Sequence, residues 1–245
     1  MRKFGLLGKQ IAYSFSRAYF KQKFEDESIL DASYENFDID DISLFPDIVK
    51  NTPQLKGLNV TIPYKEVVIP YLDKLNKKAK KIGAVNTIKI TKRNKLVGYN
   101  TDCYGFKKSI QPYLKTHHKT ALILGTGGAS KAIAYALKEL TITYTYVSRK
   151  PTNPESITYE SLTEKLIKNN LIIINCTPLG TYPDIDNCPN IPYNAITNNH
   201  ILFDLIYNPE QSKFLTFGVK KNATIINGLN MLKLQAEKAW RIWNS

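Results

Sequence analysis

Three glycines close together in Gly125-Thr126-Gly127-Gly128-Ala129-Ser130 are a means of holding phosphate. Glycine lets the backbone turn sharply and come close to a pyrophosphate, and the free N–H groups of a helix that starts there point at the anion. The flanking residues supply the required context. The run 121–124 is short and apolar on both faces, which predicts a buried parallel strand, while Ala132, Ile133, Ala136 and Leu137 recur at helical spacing. The dinucleotide fingerprint takes Gly or Ala at its sixth position; Ser130 is small enough for the same close packing. A glycine turn by itself could be an ordinary strand-to-helix connection, and the strand–turn–helix order favours a nucleotide. After the next predicted strand, 143–147, come Ser148-Arg149-Lys150, and no acid lies between Glu139 and Glu155. An NAD site usually carries a carboxylate there for the ribose 2′-hydroxyl, whereas an Arg and a Lys suit the 2′-phosphate of NADP.

A hydride-transferring site also needs a proton donor and acceptor. No histidine is well placed, and the polar residues expected at strand ends of the first half are Ser14, Ser16, Asn59, Thr61, Lys65, Asn86, Asn100 and Asp102. In an open α/β sheet the carboxyl ends of parallel strands line one crevice, so residues distant in sequence converge there. Composition does not single out Lys65, one of 29 lysines.

The elements that must position these groups follow from periodicity and turn residues. Residues 3–7 predict a strand broken at Gly8, and Ser14 or Ser16 can cap a helix carrying Phe15, Ala18, Tyr19 and Phe20. A strand at 29–34, a helix at 40–50, a strand at 55–61 and a helix opened by Pro63 and running to about Lys81 come next. Segments 84–91 and 96–99 flank a polar tetrapeptide and predict a hairpin; Thr101 or Asp102 can cap a helix at 104–114. The nucleotide unit then continues with a helix at 159–169, strands at 171–174, 201–205 and 224–226, and a final helix at 229–242 with Leu232, Ala236, Ala239 and Trp240 on one face. The predicted fold class is α/β with two open α/β domains and a cleft between them: residues 1–105, joined by the C-terminal helix 229–245, and a Rossmann-like domain at 106–228. The chain crosses between them inside the helix at 104–114 or in the polar loop 115–119.

Composition narrows the function classes. The chain has 245 residues, 43% of them hydrophobic, and a formal net charge of +13. Only five of the 34 basic residues are Arg, and no nucleic-acid motif accompanies them. Readers of base edges favour Arg, so most of this charge is expected on a solvated, Lys-rich surface. Cys103, Cys176 and Cys188 show no paired spacing, and His117, His118 and His200 complete no metal site, which predicts a reduced cytoplasmic protein without a structural metal. No run reaches the length of a signal peptide core or membrane span, so a soluble protein is expected.

Several longer segments resemble one family. Gly57-Leu-Asn-Val-Thr-Ile-Pro-Tyr-Lys65, Gly83-Ala-Val-Asn-Thr87, Asn100-Thr-Asp102, the glycine turn, Asp204-Leu-Ile-Tyr-Asn-Pro209 and Asn227-Gly-Leu-Asn-Met-Leu-Lys-Leu-Gln235 are similar, in order and separation, to segments of shikimate dehydrogenases. The resemblance covers nearly the whole chain. It implies NADP-dependent interconversion of 3-dehydroshikimate and shikimate, in chorismate and aromatic amino acid biosynthesis, by a monomer or homodimer. It implies Lys65 and Asp102 as the catalytic pair and Ser14, Ser16, Thr61, Asn86, Tyr207 and Gln235 as contacts to the substrate carboxylate or ring hydroxyls. Leu205 and Gly228 correspond to positions bordering the nicotinamide. The chemistry agrees, because a lysine ammonium can stabilise the oxygen of a ketone as hydride arrives and deliver the proton. Taken singly, Ser14 could be only an N-cap, Asn86 a turn residue and Gln235 a solvated helix position. The chain departs from the family pattern at Tyr13 and Arg17, which flank the serines, and at Asn153, where a second cation is usual. The rival readings are an NAD-using quinate or shikimate dehydrogenase, a nucleotide-binding regulator without catalysis, and a nucleic-acid binder drawn from the charge.

Overall fold

A computed structural model describes residues 1–12, 14–150 and 156–245; Tyr13 and Asn153 lie outside them. The chain divides into two compact units, Met1–Thr101 with Ala236–Ser245, and Asp102–Gln235.

In the first unit β1 (Arg2–Gly8) is a central strand, with Phe4, Leu6 and Leu7 buried. α1 (Phe15–Asp26) starts where the Ser14 hydroxyl accepts the Ser16 N–H at 3.2 Å, satisfying one of the helix's unpaired donors. β2 (Ala32–Asp38) lies alongside β1 in parallel register over its whole length. It starts later than the expected 29–34, because α1 closes with a left-handed Ser28 (φ 54°) and Ile29 N–H donating to the Phe24 carbonyl at 2.8 Å. Ile29 is thereby spent on a helix cap, and it packs with Phe24 in one apolar cluster.

The expected helix at 40–50 is a 3₁₀ turn, Ile42–Leu44, followed by α2 (Phe45–Asn51). Pro46 lacks an N–H and fits only the first turn of a helix, which sets the restart. β3 (Leu55–Val60) leads to α3 (Tyr64–Val67), and the helix expected onward to Lys81 is interrupted. A 3₁₀ turn at Ile69–Tyr71, β4 (Lys74–Leu75) and α4 (Lys77–Ile82) replace it. Asp73 accepts Leu96 N–H and the Lys95 ammonium, both at 2.8 Å, and so ties this stretch to the next hairpin. That hairpin, β5 (Thr87–Ile90) and β6 (Leu96–Tyr99), is antiparallel as predicted. The sheet order is β2-β1-β3-β5-β6-β4, mixed because β5 runs antiparallel to β3. The chain's last residues complete this unit: Trp243 stacks on Phe4 at 4.9 Å and donates its indole N–H to the Ile88 carbonyl at 3.0 Å. A Cβ at Gly57 would fall on that indole, so the strand needs glycine there.

The second unit opens with α5 (Asp102–Ile110), two residues earlier than expected, and a 3₁₀ turn at Gln111–Tyr113, with Pro112 in it, takes the place of the expected last turn. β7 (Thr120–Leu124), α6 (Gly128–Glu139) and β8 (Thr143–Val147) form the predicted strand–turn–helix–strand run. After β9 (Ser156–Ile157) comes α7 (Glu164–Asn169), shorter than the expected 159–169 because Thr163 caps it, accepting from Leu166 N–H. β10 (Ile172–Asn175), β11 (Ile201–Asp204), α8 (Lys213–Val219), β12 (Thr224–Ile226) and α9 (Leu229–Trp243) complete the chain. The order β12-β11-β10-β7-β8-β9 is parallel throughout. Strand order reverses between β7 and β10, the switch point at which open α/β sheets bind their ligands. On α9 the buried stripe is Met231, Gln235, Ala236, Ala239 and Trp243; Leu232 and Trp240, expected on it, are half-buried.

Candidate functional site

The turn after β7 has the shape that its glycines imply. Gly125 sits at φ 100°, a conformation that side chains resist, and a Cβ there would stand 3.2 Å from Thr177 Cγ2. Gly127, with nothing within 4 Å of an added Cβ, leaves open space beside the first turn of α6. Gly128 and Ala129 begin that helix, whose leading N–H groups have no partner within it. Ser130 is buried and its hydroxyl donates to the Gly127 carbonyl at 2.6 Å, so it braces the turn and lies too deep to meet a ligand. Thr126 is exposed at the tip. At the end of β8 the Ser148 hydroxyl accepts Lys150 N–H at 3.3 Å, and Arg149 and Lys150 are exposed. The open glycine turn, the start of a 12-residue helix and the two exposed cations fit a dinucleotide carrying an extra phosphate.

Beside this cradle one buried carboxylate ties the ends of two strands to the cap of a helix, a feature absent from the sequence reading. Asp204 closes β11 and is fully buried. It accepts the Ser212 hydroxyl, Asn175 Nδ2 at 3.0 Å and Ile206 N–H at 3.0 Å. Asn175, at the end of β10, accepts the Thr177 N–H and hydroxyl at 3.0 and 2.6 Å, fixing the residue that faces Gly125. Burial pushes the Asp204 carboxyl up to about 6, against the lowering effect of the Ser212, Ile206 and Asn175 hydrogen bonds. The residues just beyond it, Leu205 and Tyr207, are half-buried. Gly228 N–H donates to the Ile206 carbonyl at 2.9 Å, and a Cβ at Gly228 would fall on the Leu205 carbonyl group. Leu205 and Gly228 are thus neighbours, with Tyr207 two residues further along the chain from Leu205. A lone Asp at a strand end gives no sequence signal of such a lock.

Asp102 and Gln235 are both buried in this unit, so Gln235 is no solvated helix position. Their helices touch at Gly105, where a Cβ would stand 2.5 Å from the Met231 carbonyl oxygen and 3.2 Å from Gln235 Cβ. Glycine therefore lets α5 and the start of α9 approach closely.

In the first unit Ser14 is both an N-cap and half-exposed, and Ser16, two residues further on, is buried. Thr61 and Lys65 sit at the β3–α3 connection: Thr61 N–H donates to the Leu7 carbonyl at 2.9 Å, and the Lys65 carbonyl accepts Val85 N–H at 2.7 Å. This brings Lys65 beside the segment that carries Asn86. Asn86 is buried, 3% exposed, and is no surface turn residue. Its Oδ1 accepts Thr101 N–H at 2.6 Å and its Nδ2 donates to the Thr101 hydroxyl at 3.0 Å. Thr101 is the residue before Asp102. Asn59 is buried as well, with its side chain bonded to Tyr34, which the sequence reading passes over.

Two of the three histidines serve structure. His118 and His200 are buried and bond the Asn199 and Ile167 carbonyl oxygens, both at 3.0 Å, and burial holds both imidazoles below their usual range. Among the described residues no group of three or more His, Cys, Asp or Glu is placed to hold a metal ion, and no helix is long and apolar enough to cross a membrane.

Comparison with known proteins bears on the whole chain. The family model for the shikimate dehydrogenase substrate binding domain matches residues 6–88. Over 254 aligned residues the chain is 40% identical to the shikimate dehydrogenase (NADP(+)) of Clostridium beijerinckii, covering 99% of this chain and 92% of that one. Among solved structures it is similar to shikimate dehydrogenase 1 of Peptoclostridium difficile, at 37% identity and a TM-score of 0.85, covering 100% of this chain and 92% of that one. The shikimate 5-dehydrogenase of Thermus thermophilus, solved in complex with NADP(H) and shikimate, is 29% identical with a TM-score of 0.87, covering 99% of this chain and 93% of that one.

Proposed function

The chain belongs to the shikimate dehydrogenase family, and we infer that it catalyses the reversible NADPH-dependent reduction of 3-dehydroshikimate to shikimate. The observation that carries this is identity of 40% to an NADP-dependent relative across 99% of the chain. The glycine turn and the exposed Arg149 and Lys150 support the choice of NADP. The step lies in the making of chorismate and the aromatic amino acids, and the cytoplasm is its place.

Residues 1–105 with the C-terminal helix 229–245 form the substrate-binding part in this reading, and residues 106–228 the dinucleotide-binding part. NADP, when bound, accepts hydride from the alcohol carbon or, reduced, returns it to the ketone. Gly125, Thr126, Gly127, Gly128 and Ala129 hold its phosphates by backbone N–H groups, with Ser148, Arg149 and Lys150 at the 2′-phosphate. Leu205 and Gly228 border the nicotinamide, where a side chain in place of Gly228 would displace the Leu205 backbone.

Lys65 and Asp102 handle the proton. As the carbonyl is reduced, negative charge gathers on its oxygen; the Lys65 ammonium stabilises it and delivers the proton, and Asp102 orients the ammonium and a substrate hydroxyl. In the reverse direction the neutral amine removes the hydroxyl proton. Ser14 and Ser16 receive the substrate carboxylate, and Thr61, Asn86, Tyr207 and Gln235 bond its carboxylate or ring hydroxyls. The test is an initial-rate assay of purified protein with shikimate and quinate against NADP and NAD. Rapid oxidation of shikimate with NADP is expected, and preference for NAD or for quinate would overturn the cofactor or substrate assignment.

A further inference from the structure

The loop between β1 and α1 delivers Ser14, and two side chains near the end of β2 hold the backbone of that loop. Asp38 is the last residue of β2 and stands opposite Gly8, where the parallel pairing with β1 ends. Its Oδ1 accepts Gln10 N–H at 2.8 Å and its Oδ2 accepts Ile11 N–H at 3.0 Å. Two residues earlier, Asn36 donates its Nδ2 to the Ile11 carbonyl at 2.9 Å, and the same carbonyl accepts Ser14 N–H at 3.0 Å. Ile11 is therefore held at both ends: Asp38 takes its N–H, while Asn36 and Ser14 share its carbonyl.

These bonds fix a loop that would not keep this path unaided. Gln10 is left-handed (φ 55°), a conformation that a residue with a side chain keeps only where its surroundings impose it. Asp38 is exposed, and the pairing of β1 with β2 is made by backbone, so the sheet does not need its carboxylate. Ile11 is buried at Gly8, where an added Cβ would stand 2.6 Å from Ile11 Cγ2 and 2.5 Å from Thr61 Cγ2. The held loop thus lies close to Thr61, a second proposed substrate contact. The Ser14 hydroxyl accepts Ser16 N–H at 3.2 Å, and its own proton remains to be donated.

We propose that Asp38, through Ile11, is a positioning residue for the substrate carboxylate: it sets the loop between β1 and α1 so that the Ser14 hydroxyl stands ready to donate before the cyclic acid arrives. The proposal rests on the reading of Ser14 as a carboxylate contact. A bond to the carboxylate, away from the carbon that is oxidised, is made alike in the ground and transition states. Its weakening therefore raises KM and leaves kcat in place.

Asp38→Ala is expected to raise the KM for shikimate about three- to tenfold, part of the worth of the Ser14 bond, with kcat and the KM for NADP within about twofold of wild type. Asp38→Asn, which retains one acceptor oxygen, is expected to fall between the two. Asp41→Ala is the matched control: Asp41 accepts Ser43 N–H at 2.8 Å in the following turn, so its loss leaves the shikimate KM unchanged. Ser14→Ala supplies the second arm. Alone it should raise the KM about tenfold or more, and Asp38→Ala added to it should change the KM by less than about twofold, since no hydroxyl is left to position. A wild-type KM in Asp38→Ala, an equal rise in Asp41→Ala, or a full further rise in the Ser14→Ala background overturns the positioning role and leaves the dehydrogenase reading intact. A wild-type KM in Ser14→Ala removes the contact, and the proposal with it. Failure of the wild-type enzyme to oxidise shikimate overturns the dehydrogenase reading as well.

Discussion

Asp204→Asn separates the charge of the buried carboxylate from its shape. The group rises from 3.8 to about 6 on folding, because burial disfavours its ionised form. A folded-state pKa above the unfolded value means that the folded protein binds the proton more tightly. Asp204 therefore contributes most stability below about pH 4, and that contribution is lost as pH rises through about 6. About two pK units at 1.36 kcal/mol each make the change about 3 kcal/mol. Asparagine does not titrate and retains an oxygen for Ile206 N–H and Asn175 Nδ2, so the variant serves as the neutral reference. Unfolding by urea, followed from pH 3.5 to 8 for both proteins, isolates the residue, since every other titrating group cancels in the difference. The stability of wild type relative to Asp204→Asn should fall by about 3 kcal/mol between about pH 4 and pH 7 and stay level above that. A difference that is flat, or that rises with pH, would refute the burial argument and with it the account of Asp204 as the buried tie between β10, β11 and the cap of α8.

Three further outcomes follow from the proposed site. Lys65→Ala should lower turnover by about 10²- to 10⁴-fold, the usual share of a general acid–base group, while NADP still quenches or shifts the protein fluorescence as in wild type. Arg149→Ala should raise the KM for NADP by about 10- to 100-fold, the worth of a charge-assisted bond, and leave that for NAD nearly unchanged; equal effects on both would remove Arg149 from the 2′-phosphate. Gly228→Ala forces a methyl onto the Leu205 backbone, so a loss of about 1–3 kcal/mol in stability and a raised KM for NADP should appear together. Stability loss without a change in cofactor affinity would detach Gly228 from the nicotinamide.

The nucleotide cradle is legible in the sequence because three signals coincide: a short apolar run, a glycine turn, and apolar residues at helical spacing. The same periodicity places β8, β12 and the hairpin of β5 and β6. It misses α8, whose segment Lys213–Val219 is too short and too evenly apolar to show a face, and whose cap, Ser212, also serves Asp204. It misses β4 and β9, two residues each, which have no period to read. The displaced start of β2 reflects Ile29, apolar enough to look like strand but taken by the cap of α1. Four of the six proposed substrate contacts, Thr61, Asn86, Tyr207 and Gln235, lie in family-like segments, which fix residue positions but carry no information on what braces them. Asp204 stands alone among apolar neighbours at the end of its strand, and only the fold brings Asn175 and Ser212 against it, as it brings Asn59 against Tyr34.

The central claim, hydride transfer between shikimate and NADP, is tested most directly by isotope transfer. Shikimate carrying deuterium on the carbon that bears the oxidised hydroxyl is incubated with NADP and the purified protein, and the reduced dinucleotide is analysed by mass spectrometry. One deuterium per molecule of NADPH formed is the expected result. No reduction, or NADPH that carries none of the label, would contradict it.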